Sequence, residues 1–291
     1  MITHFFGYHF PFMNFRTLQA TVVLWAARAE IGTGLCDRAL RLTLQVLRGD
    51  RACAEAYLVR GQATLLSADS KGAKELLKEA LRLDPDLEEA KRLFKVARTA
   101  ENLMARAKQT FNVRAFEQSA ELYSEVLSAV KPPSLAPLSS QVLAARGTCF
   151  LRLKKFPECL KDVAKALYAQ DDCKEAWLTK ASALHALGRH EEALEDMAGL
   201  MQRWGSGDPS IRHAYERADF EVRKAKRPDF YKIFGVPTRA TEGEIKSAYR
   251  KQSLQYHPDK QVNKTPSEQE AAVVKFKELG GELLFTVDWI L

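Results

Sequence analysis

Apolar residues recur at three- and four-residue spacing along most of the chain, with polar residues filling the positions between them. That period belongs to amphipathic helices, so an all-α protein is expected. The helical segments also repeat. Tyr57, Gly61, Ala73, Leu77, Ala80 and Pro85 set a pattern that returns as Leu143, Gly147, Phe150, Cys159, Val163 and Ala166. It returns again as Trp177, Ala181, Leu184, Ala193, Met197 and Leu200, with Gly147 and Ala181 34 residues apart. A weaker copy reads Leu103, Ala107, Thr110, Ser119, Tyr123 and Val126. Small residues at two fixed positions let paired helices approach, large apolar residues fill the gap between them, and a closing proline stops the second helix. A helical bundle with accidental periodicity is the alternative, and four copies in approximate register argue against it.

The spacing resembles that of the tetratricopeptide repeat, a helix-turn-helix unit. Each such unit leaves one apolar face bare, so neighbours stack into a solenoid with a concave groove. Ala39, Thr43 and Val46 read as the second helix of a worn upstream unit whose first helix is hard to see. Residues 86–101 are extra and helix-patterned (Leu87, Ala90, Leu93, Phe94, Ala97), either an added helix or a seam between two sub-arrays. Lys131–Pro137 contains three prolines and is expected to be a loop. A last helix runs from Arg212 toward Lys226, and Arg227-Pro228 breaks it.

Near the C-terminus the pattern changes. Thr241-x-x-Glu244 forms a capping box, and the helix it opens carries Ile245, Ala248, Tyr249 and Tyr256 on an apolar face. Lys246, Arg250 and Lys251 make a basic strip on the opposite face. His257-Pro258-Asp259 follows at once, where Pro258 disfavours the α conformation at His257 and ends the helix. Ser267-x-x-Glu270 is read as a second capping box, opening a helix with Ala272, Phe276, Leu279 and Leu283 on its apolar face. The tripeptide then lies in an exposed loop between two antiparallel helices. On its own it is a helix stop, and the basic strip a solvated face.

Composition narrows the classes. The 291 residues allow two domains, and 46% apolar with 28% charged residues is ordinary for a helical protein in water. Net charge is +7, but Lys and Arg spread along the helices without interleaved aromatics. The excess therefore suits an acidic protein partner better than nucleic acid. Five scattered cysteines without a C-x-x-C pair argue for reduced thiols and against zinc. The longest apolar run, Ala20–Ala27, is too short to span a bilayer, and Met1–Phe15 has no early basic residue of a signal peptide. No phosphate-binding glycine loop or nucleophile constellation is present, so no enzyme is expected.

The tripeptide has company. Asp229-Phe230-Tyr231-Lys232-Ile233-Phe234-Gly235-Val236 precedes it, Tyr249–Tyr256 leads into it, and Lys275–Leu279 follows. This ordered set resembles the J domain of DnaJ co-chaperones, and repeats followed by it resemble the tetratricopeptide-bearing DnaJ homologues of subfamily C. The resemblance implies four segments: an irregular stretch 1–19, a repeat solenoid 20–222, a basic linker 223–228 and a J domain 229–291. It implies docking on an acidic surface of a DnaK-class ATPase through Lys246, Tyr249, Arg250 and Lys251, with stimulation of hydrolysis by His257, Pro258 and Asp259. No cofactor is implied, and the setting expected is the cytoplasm, with the nucleus as a second site. Repeats of this family also handle acidic tails of chaperones, including the ninety-kilodalton class, and pass on client proteins. The matching clamp positions here are Met104, Lys108, Ala145, Glu175 and Thr179, which lack nearly all of that clamp. Gly280-Gly281 and the ending Phe285–Leu291 also depart from the family, where a serine-aspartate turn and a basic helix follow. Two readings stand: an active co-chaperone, or a protein-binding scaffold with a decayed J module.

Overall fold

The computed structural model describes residues 15–205, 207–226, 230–262 and 265–280. They are helical throughout, in two compact units, 1–222 and 223–291.

The first unit is a row of helix pairs. α1 (Phe15–Thr33) pairs with α2 (Cys36–Gly49), α3 (Ala54–Leu66) with α4 (Ser70–Leu83), and α5 (Glu88–Asn112) with α6 (Phe116–Val130). α7 (Pro137–Arg152) and α8 (Phe156–Ala169) follow, then α9 (Lys174–Ala186) and α10 (His190–Trp204), and α11 (Pro209–Lys226) closes the row. The close approach rests on the small residues that the spacing picks out. A Cβ on Gly61 would sit 2.8 Å from Leu77 Cγ, and one on Gly147 would sit 2.9 Å from Val163 Cγ2. At the equivalent place in α5, Ala107 is fully buried and its carbonyl accepts from Ser119 Oγ at 2.8 Å.

Four details correct the sequence reading. Helix α1 begins at Phe15, inside the stretch expected to be irregular. It is the missing first helix of the worn unit: Leu24, Ala27 and Ile31 are buried, while Val22 and Trp25 on the same apolar run are exposed. Residues 86–101 make neither a separate helix nor a seam. The buried series Ala90, Leu93, Ala97, Ala100, Leu103, Ala107 keeps one helical phase, so the extra turns extend α5 to 25 residues. A single apolar cluster runs on from Leu58 in α3 to Cys149 in α7. Pro137 belongs to α7, as its first residue, where a missing N–H costs nothing. Arg223–Lys226, assigned to a linker, complete α11; residues 227–229 lie outside the described residues.

The loop 131–136 does more than connect. It returns to the first helix pair, where Ala136 N and Leu135 C lie 2.7 and 2.8 Å from the place of a Cβ on Gly34, whose φ is +90°. Only glycine meets both demands. Ser139 Oγ donates to Pro133 O at 2.7 Å and holds the loop in place.

The second unit holds α12 (Phe230–Phe234), α13 (Glu242–Tyr256), a 3-10 turn (Pro258–Lys260) and α14 (Pro266–Gly280). Its core is thin. Phe234, Ala272 and Leu279 are buried, and α13 has no fully buried side chain.

Candidate functional site

Thr241 and Glu244 form the expected capping box at the start of α13, with Thr241 N donating to Glu244 Oε2 at 2.7 Å. The backbone N–H and then the hydroxyl of Thr241 hold the Glu244 carboxyl below its usual range. α14 opens on Thr265 with Glu268, which make one half of a capping box, rather than on Ser267 with Glu270. Thr265 N and Oγ1 both donate to Glu268 Oε2, at 3.0 and 2.7 Å. Pro266 explains the shift, because proline is well placed as the first helical residue and the cap falls just before it. Leu283, Gly281 and Phe285–Leu291 lie outside the described residues.

Pro258 has the expected effect on its neighbour: His257 is extended, at φ −61° and ψ 133°, and α13 stops. Pro258 and Asp259 are exposed, with the Asp259 side chain 88% accessible. His257 is held rather than free. Its ring meets Phe276 of α14 edge-on, with centroids 5.4 Å apart at 83°. Its Nδ1 accepts from Asp259 N at 3.3 Å, while the Asp259 carboxylate lies 3.6 Å away. The His257 ring is thus held against α14, while Pro258 and Asp259 stand in solvent.

Helical phase separates the four residues expected to dock. Lys246, Arg250 and Lys251 lie on the solvent face, and Tyr249 points elsewhere, its ring edge-on to Phe234 at 6.1 Å. Lys246 is ion-paired with Glu242 one turn earlier. Arg250 and Lys251 have no hydrogen bond or ion pair among the described residues. Two further residues escaped the sequence reading. Leu254, 56% exposed, adds an apolar side chain beside Arg250. Gln261 is buried, and its Nε2 donates to Gln255 O at 2.5 Å, tying the loop to the end of α13. The apolar period could have flagged Leu254 as out of phase, but nothing local announces Gln261.

In the solenoid, three of the basic residues that precede the small ones, Arg60, Arg146 and Lys180, are structural. Arg146 binds Asp162 twice, at 2.6 and 2.8 Å, and reaches Ser124 at 2.9 Å. Lys180 repeats the pair 34 residues on, with Asp196 at 2.8 Å. Arg60 donates to Leu40 O at 2.8 Å. Of the clamp positions, Thr179 is buried against Thr148 Oγ1 at 3.2 Å, and Glu175 is exposed. Among the described residues no group of three or more His, Cys, Asp and Glu could hold a metal ion, and no helix is long and apolar enough to cross a membrane.

A solenoid of helix pairs followed by a helical hairpin with His-Pro-Asp at its tip defines a tetratricopeptide-repeat protein that carries a DnaJ domain. The DnaJ domain family matches residues 229–281, and the tetratricopeptide repeat matches 54–87 and 174–198. Among named proteins the chain is similar to the DnaJ homolog subfamily C member 7 homolog of Schizosaccharomyces pombe, at 36% identity over 84% of this chain and 50% of that protein. DnaJ homolog subfamily C member 7 of Homo sapiens is 29% identical over 85% of this chain and 49% of its own length. The chain spans about half the length of the curated relatives it matches. In fold, the solenoid resembles the crystallised tetratricopeptide domain of P58(IPK), with TM-score 0.59 and 18% identity over 72% of this chain and 57% of that one.

Proposed function

We propose that the chain is a co-chaperone that docks on a DnaK-class ATPase and stimulates its hydrolysis, while its repeats hold protein segments. The observation that carries this is the His257-Pro258-Asp259 tip, presented to solvent next to the unpaired cations Arg250 and Lys251. Charge on that ridge steers an acidic partner and makes the encounter salt-sensitive. Pro258 and Asp259 supply the contact that biases the ATPase, and His257 is held for it by Phe276. The chemistry belongs to the partner. Five free cysteines support a reducing, cytoplasmic setting, with the nucleus open to the same argument.

Replacing His257 by Gln tests the proposal. Single-turnover ATP hydrolysis by a DnaK-class partner should rise several-fold with the native chain and stay at its basal rate with H257Q. Equal rates for both proteins, at the basal level, would favour the scaffold reading. One observation supports that second reading: Ser253 Oγ and Gln261 Oε1 are buried without partners in the thin core of the second unit, a cost of about 1–3 kcal/mol each.

A further inference from the structure

Two cavities lined by described residues of the solenoid differ in size and in the charge of their walls. Around α1, α3 and α5, the first helices of three successive pairs, loop residues Lys131 and Pro133 close over Leu65 and Leu93 and leave a cavity of only about 180 Å³. Between α9 and α11 the described solenoid residues line a larger cavity, of about 500 Å³, with no loop residue of 131–136 among them. Its walls are apolar at Leu178, Ala181 and Ala214. Its titratable lining groups are all basic: His185, His213 and Arg217, with the hydroxyls of Ser182 and Ser210 beside them.

Three features mark these groups as unspent. His185 is nine-tenths buried, its Nδ1 lies 2.8 Å from His190 Nδ1, and its Nε2 has no hydrogen-bond partner. When His190 Nδ1 is the donor in that contact, His185 Nε2 carries the proton and is a donor without an acceptor. Arg217 and His213 are exposed and have no hydrogen bond or ion pair among the described residues. Burial, and then the nearby Arg217 and His190 charges, push the His185 pKa down, with the Glu221 carboxylate acting the other way. Asp208 next to the cavity is already tied to Lys174 at 2.9 Å and caps α11 through Ser210 N.

We propose that the cavity between α9 and α11 receives a phosphate monoester carried on a partner polypeptide. A guanidinium fork, two imidazoles and the Ser210 hydroxyl offer more donors than the two oxygens of a carboxylate readily use, and three terminal phosphate oxygens match them better; the Ser182 hydroxyl already donates to Leu178 O at 2.9 Å. The apolar walls take the side chain next to the phosphorylated residue. This site extends the reading of the repeats as protein binders and does not depend on the second unit.

The test uses the full chain and follows the Hε1 proton resonances of His185 and His213 by NMR. The probes are N-acetyl-phosphoserine amide, N-acetyl-glutamate amide and N-acetyl-serine amide. Both resonances should move saturably with the phosphorylated probe, at least about tenfold more tightly than with the glutamate probe. Arg217→Gln should weaken that binding about tenfold, and Arg217→Lys should recover part of it, since a point charge replaces a fork. Circular dichroism melts check that the variants stay folded. Resonances that stay still up to about 10 mM probe, a range that covers even millimolar affinity, overturn the proposal. So do equal shifts with glutamate, or native-like binding by Arg217→Gln. The readout is binding rather than ATP hydrolysis, so failure here leaves the co-chaperone proposal standing, and the reverse also holds.

Discussion

Arg146 shows how a residue that reads as surface charge becomes structural. Its guanidinium grips Asp162, whose side chain is only 6% exposed. Arg146→Met leaves that carboxylate buried and unpaired, at a cost of about 3–5 kcal/mol. The double variant with Asp162→Leu should regain much of the loss, seen as a partial return of the urea midpoint; no return would mean that the pair is not coupled. Cys159 gives the pH counterpart. Burial, reinforced by the Asp162 charge, pushes its thiol from 9.0 up to about 11. A raised pKa means that the folded state holds the proton more tightly. The associated stability is therefore complete below pH 9.0 and is lost as pH rises through about 11. Urea midpoints should fall over that window, and Cys159→Ala should flatten the fall.

At the scale of the element, helix approach decides the array. Gly147→Ala would push a methyl to 2.9 Å from Val163 Cγ2, an overpacking cost of about 1–3 kcal/mol. Adding Val163→Ala opens room, so thermal unfolding of the double variant should come later than that of Gly147→Ala alone. A single variant as stable as the native chain would show that α7 and α8 can slide. The extended α5 makes a related point. Its extra turns keep the phase of the repeat that follows, and phase is visible in a sequence. Whether two phased segments share one helix depends on what packs against the junction, here the neighbours that bury Ala97 and Ala100. The start of α1 was illegible for a different reason. Its run from Ala20 to Ala27 is apolar on every side, so periodicity could not separate Leu24, which is buried, from Trp25, which is not.

For the whole molecule, unequal cores set unequal stabilities. The first unit carries continuous apolar clusters, whereas among its described residues the second has few buried side chains and two unpartnered buried polar atoms. Local opening therefore costs less in the second unit. In hydrogen exchange on the intact chain, amides of α13 and α14 should exchange at least about tenfold faster than those of α7 and α8. Comparable protection in both would contradict the thin-core account. Within the first unit the proline loop lines a small cavity against α3 and α5, whereas basic groups line a larger one between α9 and α11.

Local chemistry alone was enough to specify the helices, the small residues at close approaches, the capping box at Thr241, the stop at Pro258 and the chain's resemblance to J-domain co-chaperones. Each of these depends on neighbours within a turn or on a 34-residue repeat, and both leave a periodic trace. Packing alone placed the His257 ring on Phe276, turned Tyr249 away from the cations, fastened the proline loop onto Gly34 and brought His185 to Arg217. Those contacts join residues far apart in the chain, and their energies depend on burial and geometry that exist only once the helices have met.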